Sequence, residues 1–349
     1  MKRITSEIIL NGISFKFMST IEIESTYNQL TDTCKLVIPK KINFKDKNGL
    51  NVDTLFSGPG AVFKRGSDAE IYLGYDLNNK LRFKGKISGF IPKYPFEFDI
   101  QDDMYLLKRN TINATFENPL LSDFVKKIIP EGIKYELTRD QNLGDFRITN
   151  STPAQILEKL RSEYFIYSFF RDGILYIGSS IVVKLQKTIR FTMFQDIIDD
   201  GDGLKYVDAE DKKIKIVAKS ILDDNTELKH EAGDSDGETR TLFFTNIKSE
   251  KDLEIKAKAS ISKLKYSGFE GDFETFLTPE VRHGDLVEII NPQIKEQSGA
   301  YIVSKVVTSA GSGIGGRQKI SIKQKVYDLI KEGNAWKPTN KTNEYFDYE

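Results

Sequence analysis

Two stretches of the sequence resemble each other: residues 63–71 read FKRGSDAEI, and residues 281–289 read VRHGDLVEI. Aligned without a gap, they share a glycine, which is Gly66 in the first stretch and Gly284 in the second. They also share a glutamate, Glu70 or Glu288, which is followed by an isoleucine. A glycine just before an alternating strand is typical of a tight turn. We expect each glycine to form such a turn, each glutamate to face water and each isoleucine to face the core.

The segments that follow these two stretches correspond in the same order. Residues 83–87 align with residues 302–306, and residues 104–108 align with residues 326–330, so that the offset grows from 218 to 219 and then to 222 residues. Internal similarity of this kind indicates repeated structural units. The sequence therefore predicts a duplicated β-domain.

Strand-like alternation dominates the first 105 residues. Apolar residues alternate with polar ones on both sides of a turn near residue 30, which predicts a hairpin over residues 21–38. A second hairpin is expected over residues 71–87, with a polar turn over residues 76–80 in which Asn78 and Asn79 tolerate a positive φ. Cys34 falls on an inward position of the first hairpin, where we expect a buried and inert thiol.

A helical period replaces the alternation between about residues 110 and 180. One amphipathic helix is expected over residues 120–129, and Thr152, Pro153 and Gln155 predict the capped start of a second helix that ends near Phe165. Residues 166–177 then predict a hairpin. Strands return from residue 181, with one further helix expected over residues 249–264.

These patterns predict a mainly β protein with an inserted α+β module. We divide the chain into a first β-domain (residues 1–108), the inserted α+β module (109–180), a second β-domain with connecting segments (181–331) and a polar C-terminal tail (332–349). The tail has no period, so we expect it to be mobile or to order on a partner.

Composition excludes several classes of protein. The 51 basic and 51 acidic side chains cancel, which disfavours nucleic-acid recognition, and a single cysteine allows no intrachain disulfide. The apolar run near the N-terminus is too short for a signal peptide, and the most apolar stretch, residues 164–183, is interrupted by charges and glycines. We expect no signal peptide and no integral membrane segment.

Motifs for catalysis, cofactors and metals are weak. Residues 311–316 read GSGIGG, but a strand-like pattern follows where a dinucleotide site needs a helix, so a hairpin turn is favoured. The acidic run over residues 196–211 lacks calcium-loop spacing. His283 aligns with Arg65, which is no general base, and His230 has no second ligand nearby. We expect no catalytic residue, no cofactor and no metal site.

The chain resembles a family of phage tail baseplate hub proteins, the late control protein D family, and is similar to the N-terminal part of the type VI secretion protein VgrG. The resemblance covers most of the chain. The stretches that carry it are IEIESTYNQLTDTCKLVIP (21–39), FKGKISGFIP (83–92), DMYLLK (103–108), the helix after Thr152 with its RDG hairpin (171–173), DGDGLKY (200–206) and residues 279–291.

The resemblance implies two similar β-barrel domains of the tail-tube type in each subunit. Three subunits then form a ring of six barrels around a central channel, which adapts a hexameric tail tube to a trimeric spike. It implies a homotrimer with tube protein, spike protein and other baseplate proteins as partners. It also implies a place in the baseplate of a virion or injection machine that is assembled in the bacterial cytoplasm. The chain stops before the needle domains of VgrG, so the spike is expected to be a separate protein.

Two other functions remain open from the residues alone. A cell-wall hydrolase associated with the hub could use two of the 51 carboxylates, which sequence spacing cannot identify. A carbohydrate-binding adhesin needs no catalytic motif. The structural hub, without enzymatic activity, is the preferred reading.

Overall fold

The structure is a computed structural model of the 349-residue chain. It describes residues 3–16, 20–38, 62–91, 95–198, 203–221, 227–244, 247, 249–311, 313, 315–333 and 335–339. Three features of the sequence prediction lie outside these residues: the prolines Pro39 and Pro92, three members of the acidic run (Asp199, Asp200 and Asp202), and the tail beyond residue 339.

The described chain is mainly β, which confirms the predicted class. Its strands are β1 (Ile4–Leu10), β2 (Ile13–Phe15), β3 (Thr20–Thr26), β4 (Thr33–Ile38), β5 (Asp68–Tyr75), β6 (Asn78–Ile91), β7 (Phe96–Gln101), β8 (Ile112–Phe116), β9 (Tyr135–Leu137), β10 (Phe146–Ser151), β11 (Tyr167–Arg171), β12 (Ile174–Gly178), β13 (Thr188–Thr192), β14 (Ile197–Ile198), β15 (Leu204–Val207), β16 (Ile214–Ile221), β17 (Glu227–Gly233), β18 (Glu238–Phe244), β19 (Gly268–Thr275), β20 (Leu286–Ile290), β21 (Gly299–Gly311), β22 (Gly315–Glu332) and β23 (Ala335–Pro338). The helices are α1 (Leu121–Ile128), α2 (Pro153–Tyr164) and α3 (Glu250–Leu264), with short 3-10 turns at Asp103–Lys108, Val183–Leu185, Ala209–Asp211 and Lys295–Gln297.

Fifteen strands join one continuous sheet. Its main path is β14-β19-β22-β21-β3-β4-β7-β6-β5-β1-β2, with β13, β15, β20 and β23 attached beside it. We expected two separate barrels, whereas the described strands follow an open path that runs through both halves of the chain. Two hydrophobic clusters lie along this sheet, one centred on Ile71 and Phe98 and the other on Ile289 and Tyr301; Leu277 and Ala310 of the second half also pack into the first cluster.

Both predicted N-terminal hairpins are present. β3 pairs with β4, and Cys34 on β4 is buried as expected. The turn of the second hairpin, however, lies at Asp76 and Leu77, which have φ values of 52° and 69°. Asn78 is already in β6, opposite Tyr75. The turn is fixed there because the Asp76 carboxylate accepts the Arg3 N–H and the Leu77 N–H donates to Thr5.

The inserted segment has a core of its own, formed by α1, α2, the strands β8–β12 and the turn at Asp103–Lys108. Phe124, Ile128, Ile156 and Leu160 all belong to this core, together with Leu175 and Ile177 of β12. The capping box predicted at Thr152 and Gln155 is present, and Phe165 ends α2 in the left-handed conformation.

A second small unit lies within the C-terminal half. β16 pairs with β17 and β18, and α3 covers one face of this sheet through Leu253 and Ala257. The sequence predicted β16 and α3 but not the two outer strands. These strands carry charged and hydroxyl side chains because their other face is exposed, so their apolar alternation is weak.

The first part of the predicted C-terminal tail is ordered. Residues 335–338 form β23, which pairs with the end of β22, and Trp336 packs against a core that includes Tyr327. Arg190 also donates to the Trp336 carbonyl. Among the described residues, no helix combines the length and apolar character needed to cross a bilayer.

Candidate functional site at the junction of two strand sets

Two groups of four strands stand side by side in the continuous sheet. We call β3, β4, β7 and β6 the first strand set, and β15, β19, β22 and β21 the second strand set. All neighbours within each set are antiparallel. If the strands of each set are numbered along the chain, both sets have the spatial order 1-2-4-3. The two sets therefore have the same topology.

The turns at Gly66 and Gly284 make the same hydrogen bonds. Gly66 has a φ of 88°, its N–H donates to Ile87 O at 2.7 Å, and the Ile87 N–H donates to Ser67 O at 2.9 Å. Gly284 has a φ of 82°, its N–H donates to Val303 O at 2.8 Å, and the Val303 N–H donates to Asp285 O at 2.9 Å. In each turn a positive φ is required, which favours glycine.

The strands that follow these turns share a bulge. The pairing of β6 with β7 shifts at Ser88, and the pairing of β21 with β22 shifts at Ser304. The Ser88 hydroxyl donates to Asp99 O at 3.0 Å, and the Ser304 hydroxyl donates to Ser321 O at 3.1 Å. These bonds match Ile87 with Val303, so the sequence alignment of residues 83–87 was wrong by three positions. Hydrogen bonds from the turn, rather than side-chain similarity, set the register of this strand.

The two glutamates differ in their surroundings. Glu70 is half-buried and pairs with Lys84 at 3.0 Å, while Tyr72 donates to its carboxylate. Glu288 is only 6% exposed, and its carboxylate accepts hydrogen bonds from Arg190 and Tyr327. The expectation that both glutamates face water was therefore wrong for Glu288. Ion pairing and the tyrosine hydroxyl satisfy this carboxylate where β13 lies beside β20.

The two strand sets meet where β21 pairs with β3, and we call this pairing the seam. It is antiparallel and runs from Lys305 opposite Thr26 to Gly311 opposite Thr20. A salt bridge of 2.8 Å joins Lys305 to Glu24 across the seam. The buried Thr26 hydroxyl donates to Ser304 O at 2.8 Å. The main chain and side chains of the two halves are thus directly bonded.

A pair of acidic residues lies at one end of the seam. The Asp32 carboxylate accepts bonds from the Ser25 hydroxyl and the Thr26 N–H, and the Asp32 carbonyl accepts the Asp102 N–H. Desolvation raises the pKa of Asp32 to about 6, although these hydrogen bonds act in the opposite direction. Burial, followed by the nearby Asp32 carboxylate, raises the pKa of Asp102 well above its usual range.

Arg171 connects the inserted segment to the second half of the chain. Its guanidinium is buried and donates to His283 O at 2.8 Å, close to the Gly284 turn. The His283 ring lies edge-on to Phe169 and Tyr27. Burial, then the positive charges of Arg171 and Arg282, lowers the pKa of His283 well below its usual range. A neutral, enclosed imidazole of this kind holds elements together rather than exchanging protons with solvent.

The space beside His283 is too small for a substrate. The cavity between Arg171, Ser180 and His283 has a volume of about 10 Å³, which is room for a single water molecule. In the part of the chain that is described, the Nδ1 atom of His283 has no hydrogen-bond partner. A structural water is the ligand that suits such a cavity.

The remaining sequence candidates lie apart from this junction. His230 is on β17, opposite Ala218. Of the glycine-rich run, Gly311 ends β21 opposite Gly315, which begins β22, as the predicted hairpin requires, whereas Ser312 and Ile314 lie outside the described residues. Of the acidic run, Asp196 accepts the Thr192 N–H. The described residues contain no cluster of three or more potential metal ligands.

Sequence reasoning missed Arg171, Asp32 and Asp102, which the fold brings to the junction. Arg171 is separated from His283 by 112 positions, so no local pattern links them. The only available signal was the RDG turn, whose Asp172 pairs with Arg282 at 3.0 Å.

No protein-family model matches the sequence, and no curated protein matches it. Solved structures do match its fold. The 43 kDa tail protein of prophage MuSo2 from Shewanella oneidensis has a TM-score of 0.60 and 14% identity, and the match covers 92% of this chain and 98% of that chain. A tail protein from Neisseria meningitidis MC58 has a TM-score of 0.61 and 13% identity, with 92% and 96% of the two chains covered.

A third match comes from a secretion system. The E. coli c3393 protein, described as a component of the type VI secretion system with structural similarity to the bacteriophage T4 tail proteins gp27 and gp5, has a TM-score of 0.56 and 10% identity. The match covers 95% of this chain and 79% of that chain. This chain therefore has the fold of phage tail proteins and of a type VI secretion component.

Proposed function

We propose that this chain is a structural baseplate hub, which joins a hexameric tail tube to a trimeric spike around a central channel. The observation that carries the proposal is the presence of two strand sets with one topology, joined edge to edge by the seam. A trimer of such chains offers six similar surfaces to a sixfold tube while it keeps threefold symmetry for a spike. The fold shared with tail proteins supports the same role.

Under this proposal the chain contains two tube-type β-domains that arose by duplication. Gly66 and Gly284 are their equivalent turns, and Glu70 and Glu288 occupy equivalent strand positions. The matching hydrogen bonds of the two turns support this. The inserted segment decorates the outside of the ring, and the junction at Arg171 and His283 fixes its position.

The proposed role is mechanical rather than enzymatic. The bonded state of the junction residues favours this over a hydrolase that uses a carboxylate pair there. Zymography on peptidoglycan would reveal such a hydrolase, and binding to a glycan array would indicate an adhesin instead.

The direct test is the mass of the assembled protein. Native mass spectrometry of the chain with the tube and spike proteins encoded beside it is expected to give a complex with three copies of this chain. A complex with one or six copies, or no complex, would contradict the hub. Substituting alanine for His230 and His283 in the parent particle provides a check on catalysis, because a folded variant should still assemble active particles.

A further inference from the structure

We propose that the end of the C-terminal tail closes the free edge of β18, where residues 344–348 form an added strand beside residues 240–244 of the same chain. We call residues 340–349 the distal tail. The added strand belongs to the small unit of β16, β17, β18 and α3, and its formation is independent of the hub function. Three features support it: the open edge of β18, a matching pattern in the distal tail, and the place where β23 ends.

The edge of β18 is unpaired and unguarded. β16 lies on one side of β18, and no described strand lies on the other. The opposite edge of this sheet, β17, carries charges at alternate positions, which discourage strand addition. β18 has no charged side chain from Thr241 to Phe244, and Phe243 is 55% exposed. An edge of this kind suits a further strand.

The face of β18 beneath α3 is only partly covered. α3 packs on β17 and β16 and hardly touches β18. Leu242 and Phe244 therefore stay half-buried at the margin of the core beneath the helix. Arg240 shares their face by strand alternation, and it donates to Glu238 on its own strand. The edge thus presents a cation followed by two apolar side chains at alternate positions.

The distal tail carries the complementary pattern. It reads NKTNEYFDYE, in which Glu344, Phe346 and Tyr348 stand at alternate positions. In a parallel strand, Glu344 lies beside Arg240 and the two aromatic side chains lie beside Leu242 and Phe244. An antiparallel strand would instead place the acid beside a phenylalanine. β18 already pairs in parallel with β16, so a parallel addition continues the same sheet.

The end of β23 directs the distal tail towards β18. β23 runs antiparallel along β22, and the Thr339 N–H donates to Asp328 O. From there to the pairing with β19, which ends at Ile322, β22 has no described strand on this edge. Five further residues along the edge lead from Asp328 to Lys323, a distance of about 17 Å. The same five steps lead from Thr339 to residue 344, which therefore reaches the level of Lys323.

Tyr266 connects this level to the start of β18. The Tyr266 hydroxyl donates to Lys323 O at 3.2 Å. The ammonium group of Lys212 lies over the Tyr266 ring, 4.0 Å from its centre. The next residue, Lys213, accepts the Glu238 N–H at 2.9 Å, and β18 begins there. A chain that arrives at Lys323 and follows β18 from its start runs parallel to it, as the side-chain pattern requires.

The test is disulfide formation in the full chain with Thr241→Cys and Tyr345→Cys. Residues side by side on neighbouring strands lie about 4.8 Å apart at Cα, which is within disulfide range. The control pairs Tyr345→Cys with Lys229→Cys on β17, which is also exposed. The native Cys34 is buried and stays in both proteins.

The expected product is a disulfide within a single chain, formed at least about tenfold faster than in the control under mild oxidation. Gel mobility without reductant and mass spectrometry of the linked peptides identify it. A rate no higher than that of the control overturns the proposal. A disulfide that forms only between two chains also overturns it as stated, because the strand beside β18 is then supplied by a second copy.

Amide hydrogen exchange of the full chain tests the pairing without cysteines. Alternate amides in residues 344–348 should exchange at least about tenfold more slowly than in a free peptide of the same sequence. Arg240→Glu should remove about threefold to fivefold of this protection, and the double variant with Glu344→Arg should restore it. Arg147→Glu, an exposed arginine of β10, is the control. Exchange at the rate of the free peptide overturns the added strand, and a double variant no better than the single one overturns its register.

Discussion

The two strand sets keep the same backbone while their side chains differ at matching positions. At the end of the first set, the Ser25 hydroxyl donates to the Asp32 carboxylate. The corresponding pair in the second set is Tyr206 and Phe269, whose rings meet edge-on at 5.3 Å between centroids. A polar contact and an aromatic contact thus occupy the same place in one topology. Turns and bulges, rather than side-chain contacts, define what the two sets share.

The turns differ in the arginine beside them. Arg109 stacks on Tyr105 near Gly66 and is exposed, whereas Arg171 is buried and bonded to His283 near Gly284. The turn at Gly66 therefore lies beside an arginine contact that is exposed to solvent. The turn at Gly284 lies beside a buried arginine contact that also holds the inserted segment. Substitutions at matching positions measure this difference.

Arg171→Met should cause the largest loss of stability. The substitution keeps much of the volume but removes a charged hydrogen bond to a buried carbonyl, at a cost of about 2–3 kcal/mol in the free energy of unfolding. Arg109→Met, the control, should cost about 1 kcal/mol or less because it loses an exposed cation–π contact. Urea denaturation measures both. Equal losses would contradict the contrast between the two turns.

The pH dependence of stability should come from the first strand set. An unfolded aspartate binds its proton only near pH 4, while the raised pKa of Asp32, about 6, means that the folded chain binds it earlier. Lowering the pH from 7.5 to 4.5 should therefore raise the free energy of unfolding by roughly 2 kcal/mol through Asp32. The raised pKa of Asp102 acts in the same direction. Asp32→Asn should remove the share of this slope that Asp32 contributes and leave the share of Asp102, and an unchanged slope would show that Asp32 keeps its ordinary pKa.

Gly66→Ala and Gly284→Ala should have similar effects. Each places a side chain at a positive φ, at a cost of about 1–2 kcal/mol. Gly66→Ala adds a small further cost because its Cβ would meet the end of the Arg109 side chain, whereas the space at Gly284 is open. Asparagine at either position should recover part of the loss. If only one glycine is sensitive to alanine, the two turns are not equivalent.

Substitutions of the two glutamates should cause the smallest losses of stability, with the larger loss at Glu288. Glu288→Gln weakens two charge-assisted bonds in a buried place and should cost about 1 kcal/mol. Glu70→Gln weakens a half-exposed pair and should cost about 0.5 kcal/mol or less. Thermal unfolding of the two variants compares them directly. A larger loss of stability at Glu70 would contradict the greater burial of Glu288.

Local signals in the sequence predicted the local parts of the fold. The capping box at Thr152 fixed the start of α2, and the glycine turns at Gly66 and Gly284 marked the starts of the strands after them. The alignment of β6 with β21 was three residues off, because Ile87 follows Gly66 by 21 positions whereas Val303 follows Gly284 by 19, and only the hydrogen bonds from each turn identify these two residues as equivalent. Such bonds leave no trace in a pairwise sequence alignment.

The junction itself was beyond sequence reasoning. Arg171 meets His283 and Asp32 meets Asp102 only because distant segments pack together. The outer strands β17 and β18 were missed for a related reason, since one covering helix leaves half of their side chains in water. The pairing of β21 with β3, on which the proposed function depends, is likewise a contact between the two ends of the chain.

The most direct test of the central claim is the structure of the assembled hub by electron cryomicroscopy. We predict that three copies of this chain surround a central channel. The two strand sets of one chain should then be related by a rotation of about 60° around the channel axis. A different number of copies, or strand sets related by a different operation, would contradict the proposed hub.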